Sequence, residues 1–255
     1  MNSLLSILMF ITTQALAVIG KCGRSQNDQA FPWNVGIFIG HEKQLELICF
    51  GTIIHPNAVI TAAHCFCNNL DGSMRNESFY VSTDYSNKKI NVDEHPHFHK
   101  INKNNINVHK YYKGLVNQFA NDIAIIKDKF QLNNKSICID WSGDITKDKN
   151  IIAKQSVLDN NEVRIVDFTY LDSDECIHEA SDFFRPLITN DKFCTKIAGV
   201  SLSHTSEGAG LAFLHENKWY LKGVVSTHDV TKSKLSTITP LSQYMTWISN
   251  IYATV

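Results

Sequence analysis

The chain lacks an excess of charge of either sign, and it lacks any long hydrophobic run. Its 255 residues include 24 lysines and arginines against 25 aspartates and glutamates, for a formal net charge of −1. Without a basic stripe or an acidic tail, the chain is not expected to bind nucleic acid. The apolar stretch at residues 4–11 is much shorter than the roughly 20 residues of a membrane-spanning helix. We therefore expect no membrane partner either.

The apolar stretch at the N-terminus predicts a targeting segment. Small residues at 15–17 (ALA) follow it at the spacing of a signal-peptide cleavage site. A buried N-terminal helix or strand is the alternative, but the polar segment GKCGRS at 20–25 favours a signal peptide. We predict a signal peptide over residues 1–17 and a secreted domain over residues 18–255.

Secretion makes disulfides and glycans expected features. The chain has seven cysteines, so at least one cannot pair within the chain. Asn-x-Ser sequons predict N-glycosylation at Asn76 and Asn134.

Short apolar runs separated by polar turns dominate the rest of the chain. They are rich in β-branched and aromatic residues, a pattern typical of an all-β sandwich or barrel. The asparagine-rich stretch at 88–110 predicts mainly loop, with a short strand at 106–108. The clearest runs lie at 35–39, 49–54, 57–61, 123–126, 163–168 and 219–225.

Only the C-terminal segment shows a helical period. Leu241, Met245 and Ile248 recur there at three- and four-residue steps. We expect Thr239 to cap this helix and Pro240 to occupy its first position.

Two motifs bring together the parts of a general base. TAAHC (61–65) follows one predicted strand, and NDIAII (121–126) begins another. An imidazole such as His64 can take a proton from a nucleophile. A buried carboxylate such as Asp122 can fix its tautomer and stabilise the imidazolium.

With these motifs, the chain resembles the trypsin/chymotrypsin-like serine proteases over residues 22–255. The resemblance implies an all-β fold of two packed six-stranded antiparallel β-barrels with a C-terminal helix and an active-site cleft between the barrels. It rests on FPW (31–33), TAAHC (61–65), NDIA (121–124), Cys176 with FC (193–194), GVVS (223–226) and the terminal helix with Trp247.

The resemblance also implies the disulfide pairing. Cys67 is then unpaired, and we expect a partly covered thiol rather than an intermolecular bridge. The family's further bridge beside the nucleophile is missing, because Ser203 stands where its cysteine belongs. The implied bridges are Cys49–Cys65, Cys176–Cys194 and Cys22–Cys138.

The nucleophile motif is the point where the chain departs from the family. In invertebrate members this motif often reads GDSGGGLVF, and it aligns without gaps on TSEGAGLAF at 205–213. Glu207 then falls on the nucleophile, Ser206 on the aspartate and Thr205 on a glycine of the oxyanion hole. A carboxylate cannot replace the serine, because it has no proton to give His64 and would form an anhydride with a peptide.

Other features that active members of the family need are also missing or changed. Segment 23–30 contains no Ile-Val-Gly-Gly-like cleavage sequence, and Ser206 supplies no charge to pair with a new N-terminus. The family's Gly-Trp-Gly is not found between 150 and 168. In the specificity pocket, the resemblance places the neutral Ser201 at the floor, with Thr227 and His228 on the wall. His228 in place of glycine should narrow this pocket.

We therefore predict a secreted, catalytically inactive serine protease homologue without a cofactor. It would act by binding extracellular proteins, as a cofactor, decoy or regulator of a proteolytic cascade. His64 and Asp122 would persist as packing and hydrogen-bonding groups.

Two other functions compete with this prediction. One is an active secreted serine endopeptidase in which a shifted register makes Ser206 the nucleophile, with Thr205 at the aspartate position. The other is zinc binding by alternating histidines; a solvated loop is the simpler interpretation, because Pro96 and many asparagines surround them. These histidines are His95, His97 and His99.

Overall fold

The structure is a computed structural model in which the chain forms fifteen strands and two α-helices within the described residues. The predicted signal peptide (1–17), His95, Asn134, Ser201 and Ser203 lie outside those residues. The described residues are 22–25, 31–41, 44–85, 89–91, 97–130, 132, 135–143, 153–159, 162–197, 204–229, 231 and 234–255.

The N-terminal half forms one antiparallel sheet of eight strands. These are β1 (Asn34–His41), β2 (Gln44–His55), β3 (Ala58–Thr61), β4 (Ser78–Ser82), β5 (Lys89–Asn91), β6 (His99–Ile101), β7 (Ile106–Val108) and β8 (Ala124–Lys127). They are arranged in the order β6-β4-β1-β2-β3-β8-β7, with β5 paired to β2. The stretch at 88–110 contributes β5 and β6 as well as the predicted β7, so it contains more strand than its composition indicates.

The C-terminal half forms a second sheet of seven strands. These are β9 (Cys138–Ile139), β10 (Ala153–Asp159), β11 (Glu162–Leu171), β12 (Phe193–Ile197), β13 (Gly210–His215), β14 (Lys218–His228) and β15 (Leu235–Pro240). Six of them close into a ring in the order β13-β10-β11-β12-β15-β14, because β13 also pairs with β14. This ring is the six-stranded antiparallel barrel that the resemblance implies, and β9 adds to β14 as a parallel strand.

Two short helices accompany the sheets. Helix α1 (Ser173–Glu179) is capped by Asp172, whose carboxylate accepts a hydrogen bond from the Glu175 N–H at 2.8 Å. Helix α2 (Met245–Tyr252) is the predicted C-terminal helix. The prediction of its start is wrong, because Thr239 and Pro240 belong to β15 and pair with β14 instead. A single 3₁₀ turn then separates β15 from α2.

All three implied disulfides are present. Cys22–Cys138 ties the start of the described chain to β9, Cys49–Cys65 joins β2 to the turn after β3, and Cys176–Cys194 joins α1 to β12. Cys67 is unpaired and buried, and burial raises the pKa of its thiol to about 12. No helix in the described part of the chain is long and apolar enough to cross a membrane.

The FPW motif (31–33) anchors the main apolar core. Phe31 stacks on Trp33 at 4.9 Å between ring centroids, and its edge meets the ring of Trp219 in β14 at the same distance. Trp33 is almost completely buried. Its carbonyl also accepts the Ile53 N–H of β2 at 2.7 Å. The motif therefore packs the first sheet against the second.

We predict that Trp33→Ala lowers the free energy of unfolding by about 3–5 kcal/mol, because it leaves a large cavity between the sheets. Urea unfolding followed by circular dichroism measures the change. Trp141→Ala is the control, since Trp141 is 43% exposed, and we expect it to change stability by about 1 kcal/mol or less. Equal effects of the two substitutions would contradict this account of the core.

Candidate active site

Residues at the same end of β3 and β8 bring His64 and Asp122 together. Thr61, the last residue of β3, pairs with Ala124, the first residue of β8. His64 follows β3 in a buried 3₁₀ turn, and Asp122 precedes β8. The Cys49–Cys65 disulfide holds this turn against β2. The strand pairing therefore accounts for the predicted His–Asp pair.

The Asp122 carboxylate is completely buried and accepts three hydrogen bonds. One comes from the His64 backbone N–H at 2.9 Å, and a second joins it to His64 Nδ1 at 2.8 Å. The third comes from the Ser226 hydroxyl in β14 at 2.6 Å. Sequence reasoning did not assign this role to Ser226, although its GVVS motif marked the position.

Glu207 lies on the opposite side of the His64 ring from Asp122. Its Oε2 is 3.2 Å from His64 Nε2, the ring nitrogen that Asp122 leaves open. Its Oε1 pairs with His204 Nδ1 at 2.8 Å and accepts the His228 backbone N–H at 3.0 Å. The carboxylate is buried. Glu207 therefore occupies the side of His64 where a nucleophile would give up its proton.

The two carboxylates hold His64 in its charged form. Burial alone would lower the pKa of His64, but Asp122 and then Glu207 raise it to about 10. Burial alone would raise the pKa of Glu207, but hydrogen bonds from His204 and His64 lower it to about 2. The pKa of Asp122 is likewise lowered by His64, against the effect of burial. An imidazolium has no free lone pair, so His64 cannot act as a base in this state.

The backbone at Glu207 also differs from that of a working oxyanion hole. Such a hole uses the N–H of the nucleophile residue and of the residue two before it, both directed at the substrate. Here the Glu207 N–H donates to the His204 carbonyl at 3.0 Å and closes a 3₁₀ turn. This N–H is therefore committed within the protein.

Gly208 matches a glycine of the family motif, and its backbone conformation and close packing both require glycine. Its φ is +81°, in the left-handed region that side chains rarely adopt. A Cβ at this position would also clash with the Phe50 carbonyl and the Thr61 hydroxyl. The turn that carries Glu207 thus packs tightly against β2 and the end of β3.

Ser206, the nucleophile of the alternative register, is completely buried. Its backbone carbonyl accepts a hydrogen bond from Gln155 Nε2 at 3.2 Å. Thr205 before it is half-buried. A substrate has no exposed surface of Ser206 to approach.

The described pocket residues lie beside this network. The Thr227 hydroxyl bonds the Thr237 hydroxyl at 2.7 Å. His228 is buried, with Nδ1 2.7 Å from the Ser236 hydroxyl, and burial lowers its pKa to about 4. His228 and His204 also contact Glu207, a role that no motif in the sequence indicated.

His95 lies outside the described residues, and neither His97 nor His99 belongs to a potential metal-ligand group among the residues that are described. His99 instead lies 3.3 Å from Asp128 and packs against Phe130. One potential ligand group is found in the described part of the chain, formed by Cys49, His64 and Cys65. Its two sulfurs are joined as a disulfide, so they are not available as thiolates.

Comparison with known proteins places this arrangement in a family. The trypsin family profile matches residues 21–248, and the chain therefore belongs to the trypsin family. It is 24% identical to "Serine protease gd" and 25% identical to "Modular serine protease", both of Drosophila melanogaster, over 77% and 74% of its length. It is 28% identical to rat prostatic glandular kallikrein-6 over 43% of its length. The matches span 43%, 31% and 38% of these relatives, which is less than half of each.

We predict that the unfolding free energy falls as pH rises from about 7 to 10. His64 has a pKa of about 10 in the folded chain, against about 6.5 when unfolded. The folded state therefore binds the extra proton in this window, and raising the pH removes that stabilisation. Glu207→Gln should cost about 1–3 kcal/mol near pH 7. This deficit should narrow towards pH 10, where about half of the imidazolium in the parent chain has lost its proton.

Urea unfolding between pH 6 and 10 tests this linkage, with imidazole NMR to follow the His64 ring. Glu216→Gln is the matched control, because the exposed Glu216 carboxylate lies beside the half-exposed His215. It should leave the pH dependence unchanged. A Glu207→Gln variant with the parent's slope and His64 titration would show that Glu207 does not hold the imidazolium.

Proposed function

We propose that the chain is a secreted, non-catalytic serine protease homologue that acts by binding extracellular proteins, as a cofactor or regulator of a proteolytic cascade. The observation that carries this proposal is the Glu207 carboxylate 3.2 Å from His64 Nε2. In an active family member, that nitrogen takes the proton of a serine hydroxyl. A carboxylate at this position has no proton to give and keeps the histidine charged.

Two neighbouring features support the loss of catalysis. The Glu207 N–H donates to the His204 carbonyl rather than towards a substrate. Ser206, the hydroxyl residue directly before Glu207, is buried. Loss of a triad leaves only about 10³–10⁴-fold acceleration over water, from binding and the oxyanion hole. The shifted-register endopeptidase would need both features to rearrange.

The features that the chain shares with its family support the binding role. Its fold, its three disulfides and its His64–Asp122 pair are those of the trypsin family, whose members act on protein substrates. Disulfides of this number are typical of proteins outside the reducing cytosol, which supports secretion. The cascade role rests on analogy with the family alone.

We predict that a fluorophosphonate probe, which labels activated serines, does not label the folded chain. The physical reason is that the probe needs a hydroxyl activated by neutral histidine, whereas His64 is held as an imidazolium. Gel fluorescence of the parent chain, the Ser206→Ala variant and trypsin treated in parallel gives the answer. Labelling of the parent that disappears in Ser206→Ala would establish an active enzyme with a shifted nucleophile.

We further predict that Glu207→Ser alone does not restore labelling to the rate of trypsin. The variant gains a hydroxyl beside His64 and loses one of the two carboxylates that charge the ring. Its backbone N–H, however, remains directed at His204, and position 206 still carries no carboxylate for a new N-terminus. If Glu207→Ser were labelled at a rate within about tenfold of trypsin, the activation free energies of the two proteins would differ by less than about 1.4 kcal/mol. That result would contradict this prediction.

A further inference from the structure

Two adjoining loops expose three large apolar side chains. Leu70 is 69% exposed, Leu115 is 46% exposed and Val116 is 76% exposed. Leu70 lies in the loop after the His64 turn, and the other two lie in the loop before Asp122. We call Leu70, Leu115 and Val116 the two-loop patch. Clustered apolar exposure of this kind on a water-facing surface marks interaction sites.

The two loops are fastened to each other through their backbones. The Leu115 N–H donates to the Asn69 carbonyl at 2.6 Å. Gly72 and Gly114 both have positive φ, and a Cβ on Gly72 would clash with the Lys113 backbone. The patch is therefore presented on a fixed backbone, which reduces the entropy lost when a partner binds.

The patch lies next to the candidate active site along the chain and in space. The Phe119 N–H donates to the Gly114 carbonyl at 2.9 Å, so the second loop turns directly into Phe119. The Phe119 ring meets the His64 ring edge-on at 6.1 Å between centroids. The two-loop patch thus continues from the side of the His64 site out to the surface.

The exposed charges around the patch are mainly positive. Lys110 and Lys113 are exposed at the start of the second loop. The Lys110 ammonium lies 4.8 Å from the centre of the exposed Tyr111 ring. On the first loop, the Asp71 carboxylate accepts hydrogen bonds from the Ser73 N–H and hydroxyl. Two lysines against one carboxylate favour an acidic partner.

We propose that the two-loop patch is a docking site for a protein segment that carries apolar side chains flanked by carboxylates. The apolar side chains of the partner cover Leu70, Leu115 and Val116, and its carboxylates lie against Lys110 and Lys113. This inference rests on the proposed binding function and names the surface and the kind of partner. It does not depend on the state of His64.

A random twelve-residue peptide library displayed on phage tests the proposal against the folded full chain. We expect selected peptides to be rich in aspartate or glutamate together with leucine, isoleucine or phenylalanine. Fluorescence anisotropy then gives the dissociation constants of the synthetic peptides for the parent and for variants. Val116→Asp should weaken binding about tenfold or more, because it puts a carboxylate at an apolar anchor facing an acidic peptide.

Leu214→Asp is the matched control. Leu214 is 49% exposed, close to the value for Leu115, but lies in β13 of the second sheet. It should change peptide binding less than about twofold. Lys113→Glu should weaken binding as well, and the remaining affinity should depend less on salt.

The outcomes separate this inference from the proposed function. The docking proposal would be wrong if the selected peptides bound Val116→Asp as tightly as the parent, or if they were rich in lysine and arginine. The chain would then be a binding protein that uses another surface. A library that yields no binder would also overturn the patch. The proposed loss of catalysis is judged independently by fluorophosphonate labelling, which peptide selection does not affect.

Discussion

The buried Asp122 carboxylate is the constraint on which the rest of the site depends. An unpaired charge in the interior costs several kcal/mol, so each of its hydrogen bonds is required. The donors come from both halves of the fold, since His64 follows β3 of the first sheet and Ser226 lies in β14 of the second. The Thr239 hydroxyl of β15 adds a bond to the Asp122 carbonyl at 3.2 Å. Asp122 therefore joins the two sheets whether or not the site performs any chemistry.

This structural role gives His64 and Asp122 a reason to be kept that does not depend on catalysis. Replacing the His64 side chain would remove the Nδ1 hydrogen bond and leave the buried Asp122 carboxylate without its charged partner. Breaking a buried ion pair in this way costs about 3–5 kcal/mol. The same requirement applies to Glu207, because a second buried carboxylate beside the imidazolium needs hydrogen-bond donors of its own. His204 and the His228 backbone N–H supply them. The result is a set of hydrogen-bonded charges on both sides of the His64 ring.

The strands and the His64–Asp122 pair could be predicted from the sequence. They depend on local apolar patterns and on the register between β3 and β8. Apolar runs such as 57–61 and 123–126 indicate β3 and β8, and their pairing then fixes the positions of the two residues. Other features depend on contacts between distant segments and leave no local pattern. Helix α1 has only seven residues and buries only Cys176, while β5 and β6 occur in an asparagine-rich stretch where pairing with β2 and β4 outweighs composition. The wrong start of α2 has the same cause, because pairing of Thr239 with Val224 extends β15 through the predicted cap.

The hydrogen bonds around His64 lie beside the loops that carry the two-loop patch. The ring nitrogens of His64 and the carboxylates of Asp122 and Glu207 are bonded within the protein. The Phe119 ring meets the His64 ring edge-on, and the Phe119 N–H bonds the Gly114 carbonyl at the start of the turn that carries Leu115 and Val116. The two loops are also bonded to each other, since the Leu115 N–H donates to the Asn69 carbonyl. A loop backbone held in this way loses little conformational entropy when a partner binds.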